Sequence, residues 1–181
     1  EVVYRDRTDP QLRLWHQFRL MAIDSSLQRL PNEQALGEQF GWVECANKNG
    51  ECGRYPQARL SVLTDVLNRV ALQTFFEPWQ TGERELAARH IQRLEDWDLV
   101  LLDRGFAEYV LCTLLIKAKR HFVCRCQANT FAIVNALFKE NQAGRSVVVE
   151  LVPHREQLQE VQADRLPDQA VLEDRPAQEP V

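Results

Sequence analysis

The order of segments in this 181-residue chain predicts a mixed α/β fold, a sheet with flanking helices. Three observations carry that expectation. Asp98 to Phe106 reads Asp-Leu-Val-Leu-Leu-Asp-Arg-Gly-Phe, and its apolar run Leu99 to Leu102 has the pattern of a strand buried on both faces. Glu83 to Leu94 sets Leu86, Ala87, His90, Ile91 and Leu94 at three- and four-residue spacing, which predicts an amphipathic helix. Arg19 to Asp24, Arg59 to Thr64 and Val70 to Phe76 read as three strands of an antiparallel meander.

Taken in order, residues 1–17 are a polar lead-in anchored by Tyr4, Leu12, Leu14 and Trp15. His16 reads as a packing or surface residue. The first strand runs to Asp24 and is followed by Ser25 and Ser26; Gln28 to Pro31 stays extended because a residue before proline avoids helix. One helical turn fits within Asn32 to Gly41, and Trp42 to Gly53, with Asn47, Asn49, Gly50 and Gly53, reads as a loop. Asn68 and Arg69 reverse the chain between the second and third strands. Asp65 ends its strand much as Asp24 does, which makes it a rival metal ligand, but it reads as structural; a cross-strand acid, Asp65 or Glu77, is the expected partner of Arg59.

Glu83 and Glu85 fall in the first turn of the predicted helix, where its dipole favours acids. Ala107 to Arg120 reads as the next helix, with Lys117, Lys119 and Arg120 closing it, and His121 to Cys126 as a short strand. Phe131 to Phe138 can form a helix and Ser146 to Val152 a lone strand. Beyond Pro153 the Gln-, Glu-, Asp- and Pro-rich sequence lacks the apolar content to order itself.

Composition sets bounds on function. The chain is 45% hydrophobic and 27% charged, ordinary for a globular domain, with net charge −4. Charge is unevenly placed: Arg104 to Arg145 carries seven Lys/Arg against two acids, and Ser146 to Val181 three Arg against eight acids. The basic stretch directly after Asp103 is where a phosphate backbone could run. The longest apolar run, Val110 to Ile116, is too short to span a bilayer, so no membrane partner is expected. Five cysteines without scaffold spacing read as reduced thiols in a cytoplasmic protein; Cys45, Cys52, Cys124 and Cys126 are a weaker zinc alternative that lacks the Cys-x-x-Cys knuckle.

Asp24 and Asp103 each follow an apolar run, and a carboxylate past a buried strand must be solvated, paired or metal-bound. Pairing of Asp103 with Arg104 is the plain alternative to metal. Two such carboxylates at one end of a sheet offer the hard oxygens that suit Mg²⁺.

Four stretches extend this reading: Ala22-Ile23-Asp24-Ser25-Ser26, Tyr55-Pro56-Gln57-Ala58-Arg59-Leu60, Gly82-Glu83-Arg84-Glu85-Leu86-Ala87 and Leu101-Leu102-Asp103-Arg104-Gly105-Phe106. In order and approximate spacing they resemble the DDE-class insertion-sequence transposases of the IS-four-type group, over roughly residues 18–126. The resemblance implies a ribonuclease-H-like mixed sheet with flanking helices over 18–126, the start of an insertion subdomain over 127–152 and a mobile acidic tail over 153–181. It implies metal-dependent DNA cleavage and strand transfer, with Asp24 and Asp103 as catalytic metal ligands for Mg²⁺, Mn²⁺ serving as a substitute. DNA contacts are expected from Arg104, Lys117, Lys119, Arg120 and Arg125. The implied partners are transposon-end and target DNA and a second copy in the full-length protein, in a bacterial cytoplasm at the nucleoid.

The family completes its site with a Glu on a later helix, set between a Tyr and Arg before it and a Lys after it. Nothing after Cys126 matches, and Glu150, Glu156 and Glu160 are poor candidates because Lys139 is the last lysine. This departure, with Met21 as the lone methionine, implies a fragment inactive alone. A decayed or domesticated remnant that only binds DNA or another protein is the competing expectation.

Overall fold

The computed structural model describes residues 7–46 and 52–139. The predicted strand at 146–152, the tail, the three later glutamates and the first six residues of the lead-in lie outside them.

Six strands form one mixed sheet: β1 (Arg19–Arg29), β2 (Trp42–Ala46), β3 (Cys52–Asp65), β4 (Val70–Pro78), β5 (Asp98–Leu102) and β6 (His121–Cys124). The order is β2-β3-β1-β5-β6, with β4 also paired to β3. The β1–β3, β2–β3 and β3–β4 pairs are antiparallel, and β1–β5 and β5–β6 are parallel. Parallel neighbours require crossovers, which α2 (Glu83–Ile91) and α3 (Tyr109–Lys117) provide. Helices α1 (Gln34–Phe40) and α4 (Ala132–Lys139) complete the described elements. The architecture is the mixed α/β sheet with flanking helices that the sequence predicts.

Alternation along the strands decides the core. Met21 and Ile23 of β1, Leu63 of β3, and Val100 and Leu102 of β5 share one face. They pack there with Ala87, Ile91 and Leu94 from α2 and its exit, and with Leu111 and Leu115 of α3. His90 is fully buried on the same side, its Nδ1 2.8 Å from Gln73 Oε1 and its Nε2 3.2 Å from Ser61 Oγ. A neutral imidazole satisfies both contacts, with Nδ1–H donating to Gln73 and Nε2 accepting from Ser61. Burial is the main cause that pulls its pKa down to about 4; a hydrogen bond with the Ser61 backbone opposes the fall and the charge of Arg89 adds to it.

Several expectations need correction. Trp42 to Gly53 is not wholly loop, since β2 pairs with the start of β3 from Trp42↔Pro56 to Ala46↔Cys52. The Trp42 ring lies against Gly37 and leaves no room for a Cβ there, and Arg54 stacks over the ring. Gly41 ends α1 at φ 90°, a conformation costly for residues with a Cβ. Helix α2 ends at Ile91 rather than Leu94, and α3 begins only at Tyr109, after a 3₁₀ turn at Arg104–Phe106. Arg59 does face Glu77 across the ladder, but Glu77 pairs with Arg89 at 2.9 Å, and Arg59 reaches the Trp79 carbonyl instead. Asp65 is fully buried and accepts hydrogen bonds from Asn68. His16 is exposed, at the tip of a tight turn between Trp15 and Phe18. Among the described residues no helix is long and apolar enough to cross a membrane.

Candidate functional site

The parallel β1–β5 ladder runs from Arg19↔Asp98 to Ala22↔Leu101. Carried two residues further, its register sets Asp24 opposite Asp103. The β5–β6 ladder ends at Leu102↔Cys124, and one more step sets Asp103 opposite Arg125. The ladders themselves end at Ala22↔Leu101 and Leu102↔Cys124; on their extended registers Asp24, Asp103 and Arg125 fall in one row. Asp103 keeps an extended backbone (φ −79°, ψ 173°), so the alternation of faces continues through it. Asp24 and Asp103 thus share the face opposite the α2–α3 core, with Ala22 and Leu101 behind them.

Both carboxylates are exposed. The ion-pair partner of Asp103 is Arg125, at 3.8 Å, and not Arg104. Arg104 is adjacent in sequence but enters the 3₁₀ turn, whereas parallel pairing delivers Arg125 from the neighbouring strand; its amide also donates to the Leu102 carbonyl at 3.0 Å. With both side chains mostly exposed, a 3.8 Å pair is weak and leaves the carboxylate open to other ligands. Two exposed carboxylates on neighbouring strands fit Mg²⁺, which binds through one or two protein carboxylates and retains water. Among the described residues no cluster of three His, Cys, Asp or Glu side chains is assembled.

The expected DNA contacts divide into two groups. Arg104 and Arg125 flank Asp103 at the C-terminal ends of β5 and β6. Lys117, Lys119 and Arg120 lie around the end of α3 and the entry to β6, at the opposite end of the same strands. Four residue steps separate Leu99, opposite His121, from Asp103, or about 13 Å along the strand.

Three side chains near the site were not legible as a group in the sequence. Arg84, in the first turn of α2, donates from Nε to the Gly105 carbonyl at 2.8 Å and from Nη1 to Glu108 Oε2 at 2.7 Å. Glu83 lies beside it, and a Cβ on Gly105 would sit 3.1 Å from its Oε1. The motif Gly82 to Ala87 carries both residues, but nothing in its spacing reveals that it docks on the turn after Asp103.

The four-cysteine zinc alternative does not fit the sheet. Cys45 is on β2 and Cys124 on β6, at opposite ends of the strand order. Cys112, Cys124 and Cys126 are neighbours instead. Burial, then the adjacent thiols, push Cys112 up to about 11 and Cys124 up to about 12, so both stay protonated and poorly nucleophilic at neutral pH.

No family model matches the chain, and no curated protein matches it. Among solved structures it is similar to a cryo-EM structure of the piggyBac transposase synaptic complex with hairpin DNA, at TM-score 0.43 and 16% sequence identity. A weak structural neighbour is therefore a transposase. The similarity covers 71% of this chain and 27% of that one, so the chain spans about a quarter of the length of its neighbour.

Proposed function

We propose that residues 18–126 are the ribonuclease-H-like core of a DDE-class DNA transposase of the IS-four type, contributing two of the three acids of its metal site. The observation that carries this reading is the parallel β1–β5 ladder, whose register, carried two residues past Ala22↔Leu101, aligns Asp24 with Asp103. It is supported by the chain order, in which an antiparallel meander is followed by two parallel strands across helices. Three of the four sequence stretches bear on this alignment: one holds Asp24, one holds Asp103, and Gly82 to Ala87 carries Arg84, which bonds to the turn after Asp103.

In this reading Asp24 and Asp103 hold Mg²⁺, or Mn²⁺ in its place. The bound ion supplies Lewis-acid polarisation of a phosphate and lowers the pKa of bound water. The residues of the chain position and orient. Strand alternation puts the two carboxylates on one face, with Ala22 and Leu101 preceding them there along the strands. Arg125 neutralises part of the Asp103 charge, and Arg104 and Arg125 offer planar donors to a DNA phosphate passing the site. Lys117, Lys119 and Arg120 would touch only DNA that extends to the far end of the strands. DNA cleavage and strand transfer require a further carboxylate from outside the described residues, and a second copy belongs to the whole transposase. A remnant that retains the fold and DNA contact without catalysis is the second reading.

Millimolar Mn²⁺ is expected to raise the melting temperature of this chain, and Asp103→Asn or Asp24→Asn to abolish the rise. Stabilisation by RT ln(1 + [L]/Kd) amounts to about 2.7 kcal/mol at a hundredfold excess over Kd. An unmoved melting temperature in the parent protein, or an equal rise in both variants, removes the shared metal site.

A further inference from the structure

We infer that Arg84 is a positioning residue for Asp103, holding the carboxylate in the row by clamping the turn that follows it. The inference rests on the proposed metal role of Asp24 and Asp103.

Asp103 sits at a junction. On its N-terminal side Leu102 belongs to β5, paired to β1 and β6 and buried in the core. On its C-terminal side the chain leaves the sheet at once. The 3₁₀ turn there is closed by the Phe106 amide donating to the Asp103 carbonyl at 3.0 Å and the Ala107 amide to the Arg104 carbonyl at 3.2 Å. Such short turns hold few bonds of their own. Phe106, 3% exposed, pins the far end, while Arg104 and Gly105 are exposed.

The Gly105 carbonyl is fixed from outside the turn by Arg84, through a 2.8 Å bond from Nε. The same guanidinium holds Glu108, the residue that precedes α3, at 2.7 Å. One side chain therefore ties together the start of α2, the exit from Asp103 and the start of α3. Its planar fork makes both bonds at once, which a lysine ammonium on a flexible stem does not reproduce. The Arg84 side chain is 51% exposed, so the pair adds little to global stability. Its contribution is local order at Asp103.

The test compares the full chain with Arg84→Ala and Arg84→Lys, using two readouts. Mn²⁺ affinity is measured from free-ion electron paramagnetic resonance, and amide hydrogen exchange is followed at Phe106 and Ala107. Arg84→Ala is expected to weaken Mn²⁺ binding about tenfold, the lower end of the cost of losing an outer support of a metal ligand. Exchange at Phe106 and Ala107 should quicken while Val100 and Leu111 keep their protection, and the melting temperature should stay within about 3 °C of the parent. Arg84→Lys should fall between parent and Arg84→Ala. Parent-like affinity and exchange in Arg84→Ala would overturn the inference. So would faster exchange spread equally through β5 and α3, which marks a merely structural role. If the parent binds no Mn²⁺ that Asp103→Asn removes, the metal reading fails by itself, and the exchange comparison still decides whether Arg84 holds the turn.

Discussion

Arg19→Met is expected to destabilise the protein by about 3–5 kcal/mol, read as a lower urea midpoint. Arg19 is 7% exposed and Asp98 fully buried, joined by a bidentate contact of 2.7 Å from Nε and 2.8 Å from Nη2. The guanidinium also stacks over Trp97 at 4.4 Å, and the second Asp98 oxygen accepts the Glu95 amide at 2.7 Å. Methionine keeps much of the apolar stem but strands a buried carboxylate without its cation. The cost comes from that stranded charge rather than from any large net value of the pair. The double variant Arg19→Met, Asp98→Leu is accordingly expected to recover most of the loss. A single variant within 1 kcal/mol of the parent would mean that Asp98 finds water or another donor, and that the β1–β5 entry is not held by this pair.

Acidification supplies the second large effect. His90 takes up its proton near pH 4 when folded and near 6.5 when unfolded. Between those values the unfolded chain binds more protons, so stability falls as pH falls from about 6.5 to 4. The full difference corresponds to about 3 kcal/mol, all of it present above pH 6.5. Melting curves across this range should show the decline, and His90→Gln, which cannot titrate, should flatten it. An unchanged slope in that variant would place the acid sensitivity in other groups.

Much of the fold was legible because the decisive patterns are local. The apolar run Leu99 to Leu102, the spacing of Leu86, Ala87, Ile91 and Leu94, and the reversal at Asn68-Arg69 each lie within a short window of sequence. The misread parts depend on partners distant in sequence. Asn47, Asn49 and Gly50 give that window the composition of a loop, while the strand β2 exists through its ladder to Cys52–Pro56. Arg19 and Asp98 lie 79 residues apart, so nothing local announces their pairing.

The candidate site divides in the same way. That Asp24 and Asp103 end apolar runs is visible in the residues. That they share a row depends on the register of parallel strands, which no local pattern encodes. Register also explains why Arg125, rather than the adjacent Arg104, faces Asp103, and why Lys117, Lys119 and Arg120 fall at the far end. The role of Arg84 was hidden because a surface arginine in a first helical turn has no distinguishing pattern.

The most direct measurement is an anomalous-difference map from crystals of this chain soaked in Mn²⁺. A shared metal site predicts a peak bound by carboxylate oxygens of both Asp24 and Asp103, on the sheet face opposite α2 and α3, and lost in Asp103→Asn crystals. An empty row in well-ordered soaked crystals, or manganese held by one of the two aspartates alone, would contradict it.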